Sequence, residues 1–414
     1  MSRAPGTPQG ATVPARALGG REVTISGAVA PGFEPVREAF AANFAERGEV
    51  GAACAVYRRG EKVVDLWGGV RDRTTLAPWE SDTLVLVFST TKGLSAMAMA
   101  VAHARGFFDL DERVAAYWPE FAAAGKERVT VRQLLAHQAG LCAVDEPLTA
   151  AILGDLDVLA PILARQAPAW EPGTRHGYHA ITLGFYEGEL LRCVDPAHRS
   201  LGRFFREEVA RPLGIEFHIG LPPDLPASRL ATLELFQPRW LLSGLDRDSW
   251  RFLAFLLRRN SLAARAFGNP RVRSPVDFAA PEYRGVELPA VNGYGVVRDI
   301  ARAYGALATG GRALGLADRT LEELRTPAPP PSGGIRDAVL LVDTRFGFGY
   351  LKPSPGCAFG SSGAAFGTMG AGGSFGFADP DAGLGFAYAM NRMGFHVWSD
   401  PREEALREAV YRCL

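Results

Sequence analysis

From Gly93 to Ala102 the chain carries no charge, and Ser95 is the only polar side chain, so a helix here has no face for water and must be buried all round. Immediately before it stands Phe88-Ser89-Thr90-Thr91-Lys92, which brings Lys92 into a buried helix one turn after Ser89. Residues three apart share a helix face, so the Lys92 ammonium reaches the Ser89 hydroxyl. Burial disfavours the charged ammonium and makes the lysine a candidate general base for that hydroxyl. The backbone N–H of Ser89, at the helix N-terminus, faces a region that favours developing negative charge. Nucleophile, base and half an oxyanion hole could thus come from four consecutive residues, although a Ser at a helix start is most often just an N-cap and a lone Ser-x-x-Lys is a weak signal.

The rest of the chain bounds what such a site serves. At 414 residues, 47% hydrophobic and 22% charged, it has material for a sizeable core in one or two globular domains. The formal net charge is +0 and the basic residues are spread along the chain, so nucleic acid and acidic membrane surfaces are not expected partners. Cys54, Cys142, Cys193, Cys357 and Cys413 form no CxxC pair, which fits free thiols in a reducing compartment and no metal site. No apolar run of membrane-spanning length occurs, and Met1 to Gly20 lacks the apolar core of a signal peptide. A cytoplasmic protein with a loose N-terminal arm, residues 1–30, is the expectation.

Read in order, Val36, Phe40 and Phe44 mark an amphipathic helix over Pro35 to Arg47, stopped by Gly48. Ala52 to Tyr57 and Lys62 to Trp67 flank a turn and read as a β-hairpin, and Leu84 to Phe88 lead into the Ser89 helix, which Gly106 closes. A short helix is predicted over Val129 to Gln138, ending at Gly140 and carrying His137 as a packed, hydrogen-bonded histidine. Trp170 to Ala180 is a turn-rich loop running into a helix over Ile181 to Leu191, with Tyr178 at the junction, where its side chain can project into a cleft. Arg211 to Pro289, which holds Trp240 and Trp250, offers no chemistry; its aromatic residues are core or pocket lining.

Asp299 to Gly310 is a predicted helix and Pro327 to Gly334 a loop. Phe346 to Leu351 reads as one strand, and Gly372 to Phe377 with Leu384 to Met390 as a hairpin. Asp400-Pro401-Arg402-Glu403 opens a last helix with an N-cap, a first-turn Pro and a capping-box Glu. The expected fold class is therefore α/β (α+β), with both chain ends building one antiparallel sheet flanked by helices around an inserted helical region.

Four motifs now stand in order: Ser89-Thr90-Thr91-Lys92-Gly93, Leu134-Leu135-Ala136-His137-Gln138-Ala139-Gly140-Leu141, Tyr178-His179-Ala180 and Gly370-Ala371-Gly372-Gly373-Ser374. On these the chain, from about Val50 onward, resembles the serine β-lactamase-like superfamily. The branch it resembles is that of carboxylesterases related to class C β-lactamases, the family VIII type. The resemblance implies a β-lactamase/transpeptidase-like fold: an α/β domain from 31–110 and 285–414, a mainly helical region 111–284, and the active site between them. It implies Ser89 as acylated nucleophile, Lys92 as its partner and Tyr178 as a proton-shuttling phenol, with either Lys92 or Tyr178 as the acylation base. The backbone N–H groups of Ser89 and Ala371 would form the oxyanion hole. Thr368, Met369, Gly370 and His179 would contact the substrate.

Two departures narrow the expectation. Ala180 stands where β-lactamases carry an amide-gripping Asn, and Thr368 stands where the family has a Lys or His beside the substrate carboxylate. Both argue against a β-lactamase or cell-wall peptidase. The implied activity is hydrolysis of small esters through acyl-Ser89 without a metal or organic cofactor. The alternative partner of the acyl-enzyme is an acceptor alcohol or amine, which would make an acyltransferase; a non-catalytic protein on this fold is opposed by the intact Ser89, Lys92 and Tyr178. Gly372-Gly373-Ser374-Phe375-Gly376 also fits a G-x-S-x-G nucleophile elbow, but a hairpin is expected after Ser374 where that motif needs a helix.

Overall fold

The computed structural model describes residues 11–236, 247–396 and 399–414. Trp240 and the first ten residues of the expected N-terminal arm lie outside them. The hairpin of the first half is formed by β3 (Gly51–Arg58) and β4 (Glu61–Asp72), with the short β5 (Ala77–Pro78) paired to the end of β4. Its turn places Arg59 and Gly60 at φ 49° and 87°, the left-handed pair that suits the twist of two antiparallel strands. β13 (Leu384–Met390) pairs with β3 over its whole length, from Leu384 opposite Arg58 to Met390 opposite Ala52. The two ends of the chain therefore meet in the centre of one sheet.

The N-terminal arm is not loose over the described residues. Ala11–Ala15 (β1) and Arg21–Val29 (β2) pair with each other, and β2 pairs with β4, extending the sheet. Alternation explains it: Val23 and Ile25 are buried while Glu22 and Thr24 face water. On the C-terminal side, β12 (Phe375–Asp379) follows β13, then β11 (Phe366–Met369), β10 (Tyr350–Lys352) and β9 (Arg345–Gly347). The single strand expected over Phe346 to Leu351 is this β9–β10 hairpin, reversed at Phe348 and Gly349, both at positive φ. The strand expected from Gly372 begins at Phe375, because Gly370 to Ser374 is a tight turn closed by Gly370 N–H to Ser374 O at 2.7 Å.

Each face of the sheet is covered. On one, helix Glu34–Ala45 and the C-terminal helix Pro401–Arg412 bury Val36, Phe40, Phe44, Leu406 and Val410 against Val56, Leu66, Phe377 and Phe386. The Asp400 side chain caps the C-terminal helix, but Glu403 turns to Arg407 at 2.9 Å and makes no capping box. On the other face, helix Val297–Ala308 lies directly on β13: a Cβ on Gly385 would meet the Gly305 nitrogen at 2.1 Å, so only glycine permits the contact. Further out on this face lies the Ser89 helix, Thr90–Ala104, with every residue from Thr90 to His103 buried, as its lack of charge requires. A small second sheet, β6 (Val85–Leu86), β8 (Gly293–Gly295) and β7 (Phe217–Ile219), fixes the strand that enters it.

Candidate active site

Ser89 occupies the N-cap position of the buried helix, and Lys92 follows one turn later. Phe88, before it, sits at φ 45°, an unfavourable conformation for a residue with a Cβ, and Val87 is tied to Gly293 O at 3.0 Å. Lys92 Nζ contacts Ser89 Oγ at 3.2 Å and donates to the carbonyls of Ala180 at 2.6 Å and Ala290 at 3.0 Å. Burial lowers the Lys92 pKa to about 7, partly opposed by the Glu187 carboxyl. A neutral amine in this cage gives its two hydrogens to the two carbonyls and turns its lone pair toward Ser89.

Tyr178 completes the cluster. Lys92 Nζ lies 4.8 Å from its ring centroid, and the Ser89 side chain is near enough to its phenol to favour the ionised form. Burial drives that phenol well above its ordinary range, and the nearby Ser89 only partly opposes this. The Tyr178 backbone is held by a residue the sequence reading missed: Asp337, fully buried, accepts its N–H at 3.0 Å, together with those of Val339 and Leu340 at 2.8 Å. Phe346 stacks on the Tyr178 ring at 6.1 Å between centroids, and His137 packs at 5.2 Å.

The histidines support this arrangement from behind. The predicted helix stops at Leu135, so His137 lies beyond it, at φ 61°, and accepts the His179 N–H at Nδ1, 3.1 Å. His179 is fully buried; Nε2 accepts the Leu141 N–H at 3.0 Å, which leaves Nδ1–H to donate to Gly177 O at 2.7 Å. Burial holds both rings neutral, His179 down to about 3. His179 therefore braces the Tyr178 loop and is not the substrate contact expected of it.

Thr368 lines the cleft as expected and has a second task. Its hydroxyl accepts the Gly93 N–H and donates to Thr90 O, both at 3.1 Å, so it ties β11 to the Ser89 helix. Met369, Gly370 and Ala371 line the cleft beside it, with Ala371 exposed at the tip of the turn. Ser374, the serine of the G-x-S-x-G pattern, is 1% exposed and donates to Val87 O at 2.8 Å; strand β12 follows it, not a helix. A second residue missed from sequence is Glu187, fully buried behind Lys92 with neither carboxyl oxygen hydrogen-bonded among the described residues. Burial pushes its pKa up to about 8 against the pull of Lys92.

Ser89, Lys92 and Tyr178 open into a cavity of about 310 Å³ walled by Phe252, Leu253, Leu256, Phe267, Leu340 and Met369. The segment without visible chemistry in the sequence thus supplies much of the pocket wall, through helix Arg247–Leu257. Among the described residues lining it, Lys92 is the only lysine, arginine, aspartate or glutamate. A larger depression of about 730 Å³ lies beyond Phe346, and none of Ser89, Lys92 or Tyr178 borders it.

A family model described as Beta-lactamase matches residues 36–411. The chain is 35% identical over 370 residues to the Esterase/beta-lactamase LipL of Mycobacterium tuberculosis (strain ATCC 25618 / H37Rv), covering 89% of this chain and 83% of that protein. Among solved structures, a family VIII carboxylesterase is 40% identical with a TM-score of 0.83, covering 94% of this chain and 100% of that one. A penicillin-binding protein homolog from Caulobacter crescentus is 37% identical with a TM-score of 0.82 and the same coverage. With a family model spanning nearly the whole described fold, the chain belongs to the Beta-lactamase family.

Proposed function

We propose that the protein is a serine carboxylesterase that hydrolyses small, uncharged esters through an acyl-Ser89 intermediate. The observation that carries this reading is the contact of Ser89 with a buried, low-pKa Lys92 and with Tyr178 at the mouth of an apolar pocket. The esterases among its relatives support the same chemistry.

In the proposed cycle, neutral Lys92 takes the Ser89 proton as Oγ attacks the ester carbonyl. Tyr178 is disfavoured as the base because burial makes its phenolate costly; as a phenol it gives its proton to the departing alkoxide while regaining one from the Lys92 ammonium, which returns the lysine to its neutral form, and it later orients the attacking water. The N–H groups of Ser89 and Ala371 receive the oxyanion, a pair in which each donor is worth ~3 to 4 kcal/mol of transition-state stabilisation. With Thr368 at the position expected of a carboxylate-binding Lys or His, and no arginine, aspartate or glutamate among the described lining residues, the apolar walls favour apolar acyl or alkyl groups.

The test is turnover of uncharged esters of increasing acyl length beside a carboxylate-bearing β-lactam, each with and without acceptor alcohols. Ester hydrolysis exceeding β-lactam turnover by at least ~100-fold in kcat/KM is expected from Thr368 in place of a cation and from the apolar walls. Comparable turnover of the β-lactam would overturn the substrate class, and dominant transfer to the acceptor would make the protein an acyltransferase.

A further inference from the structure

The turn from Gly370 to Ser374 carries the second oxyanion donor, and it is gripped from two sides. On the side of the Ser89 loop, the Ser374 hydroxyl is bonded to Val87 O. On the far side, the Gly372 carbonyl accepts the Gly394 N–H at 2.8 Å and Nη2 of Arg402 at 3.0 Å. Arg402, at the start of the C-terminal helix, is 2% exposed.

Every N–H of this guanidinium is engaged. Asp400 takes Nε at 2.9 Å and Nη2 at 2.8 Å, while Glu49 and the Arg392 carbonyl take Nη1 at 3.0 and 2.9 Å. Glu49 in turn accepts the Tyr388 hydroxyl. Asp400 is also packed against the turn, since a Cβ on Gly373 would lie 2.7 Å from its Oδ2. Gly372 and Gly373 sit at φ 88° and 112°, so the stretch between Ala371 and Ser374 has no side chain of its own to hold its shape.

A buried ion cluster is a poor source of stability compared with apolar packing of the same volume. What it supplies is direction: a planar fork aims one N–H at one carbonyl, as no apolar residue can. We infer that Arg402, aimed by Asp400, is a positioning residue that fixes the Gly372 peptide and through it the Ala371 N–H of the oxyanion hole. This rests on the reading of Ser89 as nucleophile and Ala371 as oxyanion donor. Glu49 touches the other end of the fork, away from the turn, and serves as the internal control.

The experiment uses the full chain with Arg402→Lys, Asp400→Asn and Glu49→Gln. For each, kcat and KM on an activated short-chain ester, the inactivation rate with a serine-reactive phosphonate, and the melting midpoint are measured. Arg402→Lys and Asp400→Asn should lower kcat by ~10- to 100-fold and slow inactivation in parallel, with KM within about threefold. Glu49→Gln should lower the melting midpoint and leave kcat within about threefold. A folded Arg402→Lys with wild-type kcat, or kcat that follows the melting midpoint across all three variants, would overturn the inference. If Arg402→Lys does not fold, the contrast between Asp400→Asn and Glu49→Gln decides, and equal kcat in these two counts against it. Phosphonate labelling that survives Ser89→Ala, run in parallel, would instead remove the nucleophile on which the inference stands.

Discussion

Lys92 shows how one residue's chemistry follows from where the chain can put it. An uncharged helix forces its first turn inside, burial lowers the amine to about 7, and two carbonyls leave its lone pair for Ser89. Acylation should therefore rise as pH increases through about 7, where the ammonium releases its proton, and fade below it; a pH profile of kcat/KM checks this. Lys92→Arg keeps a cation that does not deprotonate in this range, so it should lose ~100-fold or more in kcat/KM at every pH and show no such limb. Tyr178→Phe should cost a similar factor while Ser89 still labels slowly, because it removes the proton relay and leaves the nucleophile. Ser89, Lys92 and Tyr178 were legible because each lies in a short motif whose spacing carries its geometry. Asp337 and Glu187 were not, since one acts from a distant loop and the other looks like any helical glutamate.

At the scale of elements, what the sequence conveyed depended on whether a local pattern was tied to its partner. The β3–β4 hairpin and helix Glu34–Ala45 follow from alternation and four-residue spacing. β9 and β10 did not, because a tight reversal at Phe348 and Gly349 interrupts a continuous apolar run without a Pro or Asn to mark it. His179 departs from expectation for a related reason: a motif fixes where the backbone goes, but tertiary neighbours decide which way a side chain turns. Ser374 bears on this directly. Ser374→Ala should retain the labelled nucleophile and lose ~1 to 2 kcal/mol of stability with its bond to Val87 O, read from denaturant unfolding. Narrowing the wall with Leu253→Phe should lower kcat/KM for long acyl esters ~10-fold and spare the shortest, measured across a chain-length series.

For the whole molecule, the sheet is the frame on which distant stretches meet: Ser89 follows its N-terminal strands, Ala371 joins two C-terminal ones, and Tyr178 comes from the helical excursion between. Composition foresaw a large core and the two termini foresaw a shared sheet. The edge strand β1 and its neighbour β2 were hidden by an opening rich in Pro, Gly and Arg, and pairing of β2 with β4 and of β1 with β2, rather than local propensity, orders them. Deleting residues 1–29 should consequently lower the melting midpoint by about 5 °C or more and promote aggregation through the uncovered edge of β4. The central claim is that this frame delivers Ser89 as the nucleophile. Intact-protein mass after exposure to a serine-reactive phosphonate, for wild type and Ser89→Ala side by side, tests it most directly. A single adduct on the wild-type chain that is absent from Ser89→Ala is the predicted result; an adduct that persists in Ser89→Ala would contradict it.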